Sequence, residues 1–151
     1  MPNVGTEHRA TEGKAVYNSA RAREIGSAAG KIMCLHGTSS VKREDLYRLP
    51  LDGFVKINIY TTLAVSGGQA LSNQVLSSLE NIFDEKQLNE LVSRGILGND
   101  LVRQNSGKNR ALAKPKLAFV TNPKRRDAWH NAVKKRCLEF MEIFNYGKYA
   151  G

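Results

Sequence analysis

The run Ile32-Met33-Cys34-Leu35 stops abruptly at His36-Gly37-Thr38-Ser39-Ser40, and a second run, Phe54 to Ile59, stops the same way at Tyr60-Thr61-Thr62. Short apolar runs ended by small polar residues and separated by about one helix have the rhythm of a parallel βαβ unit. In such sheets chemistry collects at the carboxyl ends of the strands. His36, Gly37, Ser39, Asn58 and Thr61 are thereby placed on one rim.

The rest of the chain is read outward from that unit. Asn3 to Arg9 suits the tail of a strand, and Gly13 separates it from a loosely amphipathic helix over Ala15–Ala29 that Gly30 stops. Ser40 is the expected N-cap of a helix over Val41–Leu49, with Glu44 and Asp45 in its early turns. Pro50 and Gly53 punctuate the turn into the second strand. From Thr61 the apolar period becomes helical and holds to about Phe83, after which Asp84 caps a helix over Glu85–Arg94 that Gly95 ends. Residues 98–117 carry no period and read as a loop. Trp129, Val133, Cys137, Phe140 and Phe144 mark a C-terminal helix preceded by Asn122-Pro123 and closed by Gly147.

Composition narrows the class. The chain has 151 residues and 41% hydrophobic residues, enough for a modest core. No apolar run approaches the ~18 residues needed to span a bilayer, and Met1 to Ala10 does not resemble a signal peptide. Cys34 and Cys137 sit in apolar patterns, the expectation for a reducing cytoplasm. The formal charge of +9 is scattered in short clusters such as Arg21/Arg23, Lys42/Arg43 and Lys124 to Arg126, without interleaved aromatics. That pattern favours solvated helix faces over a nucleic-acid surface.

Taken together, Val4-Gly5-Thr6-Glu7-His8, then Cys34-Leu35-His36-Gly37-Thr38-Ser39-Ser40, then Gly53-Phe54-Val55-Lys56-Ile57-Asn58-Ile59-Tyr60-Thr61, and finally Asn122-Pro123-Lys124 before a long helix, resemble the class II ketose-bisphosphate aldolases. The resemblance implies an α/β fold: the last three strands of a TIM (β/α)8 barrel with their helices over residues 1–97, a loop at 98–117, and a C-terminal helical extension at 118–151. A complete barrel usually takes about 250 residues, so the expectation is a C-terminal portion.

The implied activity is the reversible aldol cleavage of a ketose bisphosphate to dihydroxyacetone phosphate and an aldehyde. The resemblance implies zinc, with a monovalent cation as a further expectation. His8 and His36 match metal ligands; Gly37, Thr38, Ser39, Asn58, Ile59 and Thr61 match positions around the substrate phosphate. Lys124 matches a basic residue that reaches a phosphate. It also implies a homo-oligomer, a dimer, in the cytoplasm, without membrane association. His130 matches nothing.

Departures from the pattern are informative. Arg9 stands where a glycine is usual and Tyr60 where an aspartate is usual. No residue matches the third histidine ligand or the acid/base aspartate, so no catalytic residue is assigned and the polypeptide is expected to be inactive alone. The alternatives are a basic nucleic-acid-binding module, or a non-catalytic relic that oligomerises through its C-terminal helices.

Overall fold

The computed structural model describes residues 3–7, 16–30, 32–98 and 116–148. His8 and Arg9 lie outside the described residues, as does most of the expected loop at 98–117. The chain forms two compact units, Met1–Ser66 with Ala132–Gly151, and Gly67–Asn131.

The first unit carries the βαβ unit. Helix α1, Ser19–Ala29, begins at Asn18, whose side chain accepts from the Arg21 N–H at 2.9 Å, and ends at Gly30. The helix therefore starts later than the expected Ala15. Its buried face is Ala22 and Gly26. Strand β1, Met33–Leu35, pairs in parallel with β2, Phe54–Ile57, and these form the two-stranded sheet. Helix α2, Arg48–Leu51, precedes β2. Met33 faces Phe54 but Cys34 faces Lys56, so Val55 is an extra residue, a bulge in the ladder. Val41, Leu46 and Leu49 close the core over the strands with Phe140 and Phe144, whose rings stack at 5.7 Å.

Several expectations need correction. Residues 3–7 do not form a strand: Gly5 has φ 78, which turns the chain, and the Glu7 N–H goes to the Ser40 hydroxyl rather than to a ladder. Ser40 does not cap a helix over Val41–Leu49. Its hydroxyl is committed elsewhere, and extended Val41 and Lys42 break the segment into 3-10 turns at Thr38–Ser40 and Arg43–Asp45 before α2.

The second unit begins within helix α3, Thr61–Leu76. The expected helix to Phe83 is interrupted at Ser77-Ser78, where the Ser77 hydroxyl bonds the Gln74 carbonyl at 3.2 Å and the Ser78 hydroxyl accepts from Gln74 at 2.9 Å. Serines that bond locally compete with helical hydrogen bonding. Helix α4, Leu79–Ile82, follows, and then α5, Glu85–Ser93, opened by a capping box between Asp84 and Gln87. Leu79, Leu88 and Leu97 form this unit's core. Lys116 donates to the Asn81 carbonyl at 2.8 Å, joining the entry of α6, Leu117–Val120, to α4.

Helix α7, Asn122–Ile143, includes Asn122-Pro123 rather than following them, since proline is tolerated in a first turn. It ends near Asn145, at φ 57, before Gly147.

A polar contact sits beneath the strands. Asp52, 3% exposed, accepts from the Tyr17 hydroxyl at 2.6 Å and lies 3.7 Å from the Arg23 guanidinium. Burial, reinforced by the hydrogen bond to Asp52, raises the Tyr17 hydroxyl's pKa well above the ordinary phenol value. The folded protein holds this proton where the unfolded chain releases it. The stabilisation is therefore complete below about pH 10 and is lost as pH rises beyond it. Tyr17→Phe should lower the melting temperature at neutral pH but flatten its decline between about pH 10 and 11. An unchanged alkaline slope would refute the contribution.

Candidate functional site

The two strands deliver their carboxyl ends side by side. Asn58 continues the ladder, its N–H donating to the Leu35 carbonyl at 3.0 Å, and the Thr38 hydroxyl donates to the Asn58 carbonyl at 2.8 Å. Between these ends lies a cleft of about 260 Å³ lined by His36, Gly37, Thr38, Ser39, Asn58, Tyr60 and Thr61. The geometry therefore brings together most of the residues expected on this rim.

Gly37 makes the turn possible. It has φ 77, and a Cβ there would collide with the backbone of Glu7. The chain turns into the Thr38–Ser40 3-10 segment, while across the cleft Thr61 opens the 16-residue helix α3. The Tyr60 carbonyl accepts the first helical bond from Ala64 at 2.9 Å. Helix starts present N–H groups and partial positive charge to an anion. Among the described residues the lining carries hydroxyls, an amide and an imidazole, with no carboxylate, ammonium or guanidinium.

The Asn58 amide nitrogen lies 3.0 Å from His36 Nε2 and 3.4 Å from Cys34 Sγ. Among the described residues no group of three His, Cys, Asp or Glu side chains converges to hold a metal ion. The described donors alone therefore do not fit a zinc centre. Of the remaining expected site residues, Ile59 packs against the core rather than lining the cleft. Lys124 belongs to the second unit, where its ammonium stands 5.9 Å from the Phe119 ring centroid.

Three features went unread in the sequence. Tyr60, 74% exposed, lines the cleft instead of merely marking a lost carboxylate. Ser40 is almost fully buried behind the turn, and Glu7 contributes its backbone to the support of Gly37. A serine following a glycine turn is a weak local signal, and its partner is 33 positions away.

Parallel pairing of β1 and β2, with a cleft at their carboxyl ends, defines the broad α/β class whose ligand sites lie at strand ends. Within that class the chain belongs to the class II fructose-bisphosphate aldolase family, whose model, described as fructose-bisphosphate aldolase class-II, matches residues 2–147. No curated protein and no solved structure gives a match. Among the described residues, no helix is long and apolar enough to cross a membrane.

Proposed function

We propose that the cleft holds the phosphate end of a ketose bisphosphate, or of dihydroxyacetone phosphate, in the reversible aldol cleavage characteristic of the family. The observation that carries this reading is the convergence of Gly37, Thr38, Ser39, Asn58 and Thr61 on one cleft at the ends of paired parallel strands. The strands β1 and β2 are the counterparts of the seventh and eighth strands of a TIM barrel. Residues 1–97 are proposed as the barrel part and 118–151 as a helical extension, and 99–115 lie outside the described residues.

Each rim group has a chemical task in this reading. Backbone N–H groups of the Gly37 turn and of the start of α3 bind the phosphate oxygens, with the Ser39 and Thr61 hydroxyls beside them. Asn58 bonds a ligand hydroxyl or carbonyl and at the same time orients His36 through its amide. His36, with His8, is the proposed zinc-binding pair. Lys124 is proposed as a phosphate-binding residue on the family resemblance alone. Among the described residues the cleft's titratable side chains are His36 and Tyr60, neither of them a carboxylate. The chain is accordingly proposed to bind the substrate phosphate but to need further groups for proton transfer and metal binding. A cytoplasmic homodimer is the assembly proposed.

The test is a titration of the full chain with dihydroxyacetone phosphate, alongside a fructose 1,6-bisphosphate cleavage assay with zinc. Dihydroxyacetone phosphate should bind, and Thr61→Val should weaken it about fivefold by removing one hydrogen bond. Absence of binding would end the phosphate reading. Cleavage that persists undiminished in His36→Ala would end the ligand assignment.

A further inference from the structure

The hydroxyl of Ser40 both donates and accepts a hydrogen bond, although Ser40 itself does not line the cleft. It is 1% exposed, donates to the Gly37 carbonyl at 2.7 Å and accepts from the Glu7 N–H at 2.9 Å. The Ser40 N–H adds a second bond to the same carbonyl at 3.0 Å. Gly37, at φ 77, rests directly on the Glu7 backbone. One buried hydroxyl therefore joins the Glu7 backbone to the turn that forms one wall of the cleft.

We propose that Ser40 is a positioning residue for anion binding. The inference rests on the phosphate reading above and adds the means by which the turn is preorganised. In a trans peptide the N–H points opposite to the C=O. Fixing the Gly37 carbonyl on Ser40 fixes the Thr38 N–H on the opposite side of the same peptide plane. Gly37 and Thr38 line the cleft and Ser40 does not, and in this proposal the Thr38 N–H is the donor turned to the cleft. The hydroxyl also satisfies the Glu7 N–H, which keeps the Glu7 backbone seated beneath Gly37 and opposes rotation of the peptide plane. A donor fixed before the ligand arrives costs no reordering on binding.

The test uses the full chain, with inorganic phosphate as probe and amide NMR as readout. In the native protein the Glu7 amide should exchange slowly with or without phosphate. Phosphate should shift the Thr38 amide together with those of Ser39 and Thr61. Ser40→Ala should weaken phosphate about fivefold to tenfold, free the Glu7 amide to exchange, and leave the amide pattern of α5 unchanged.

Native affinity in Ser40→Ala would overturn the proposal. Rapid Glu7 exchange in the native chain would also overturn it, as would a Thr38 amide indifferent to phosphate while Ser39 and Thr61 respond; both observations remain decisive if the variant does not fold. No amide response anywhere in the cleft would overturn the phosphate reading itself, and the role of Ser40 with it.

Discussion

Gly37→Ala should be among the most damaging single substitutions in the first unit, with a loss of about 2–5 kcal/mol from the combined left-handed strain and overpacking. The backbone there has φ 77, and the added carbon would meet the Glu7 carbonyl rather than the flexible end of a side chain. Relief requires moving either the turn that carries Thr38 and Ser39 or the segment before it, and both moves break the Ser40 bridge. Against the ~5–15 kcal/mol that holds a typical domain together, this is a large fraction. Urea unfolding followed by circular dichroism checks the stability arm, and a phosphate titration at a temperature where the variant remains folded checks the binding arm. A variant of near-native midpoint and affinity would show that the turn tolerates a side chain.

Asp52→Ala should cost about 2–3 kcal/mol, chiefly by removing the charged acceptor of the Tyr17 hydroxyl. Arg23 is largely exposed, so its ion pair with Asp52 contributes little to that sum. Asp52 also ends α2 immediately before β2, with its backbone N–H donating to the Arg48 carbonyl at 2.8 Å. Loss of the side chain therefore loosens the anchoring of the segment before α1 without disturbing the strand ends where the cleft lies. Asp52→Asn keeps the shape and a neutral acceptor and should recover part of the loss. Thermal melting of Asp52→Ala, Asp52→Asn and Tyr17→Phe, with the Asp52→Ala/Tyr17→Phe double variant closing the cycle, measures the coupling. Strict additivity would mean that the contact contributes nothing.

Much of the cleft was legible because its residues are consecutive in sequence. His36 to Ser39 and Asn58 to Thr61 follow apolar runs that end sharply, and parallel pairing brings those ends together. The Asp84 cap was legible for a similar reason, since a capping residue and its partner lie within one helical turn. What escaped were bonds that join distant segments. Ser40 has the composition of a helix cap, and only the approach of Glu7 from far along the chain explains why its hydroxyl serves another purpose. Tyr17 and Asp52 are 35 positions apart and share no periodicity that would link them. The break at Ser77-Ser78 lost to the apolar repeat that runs across it, because periodicity reports which side faces inward and says nothing of local hydroxyl competition.

The extra residue in β2 has a consequence for how the rim can vary. Because Val55 is left over in the pairing, Lys56 and Ile57 rejoin the ladder opposite Cys34 and Leu35, and Asn58 arrives with its amide against His36. Side chains alternate sides along a strand, so the parity of this short segment decides which way Asn58 points. Loss or gain of a single codon here would carry the amide to the far face and bring a neighbour into its place. The amide at the rim is thus tied to the core, because a change in length that turned Asn58 would turn Ile57 away from its packing as well.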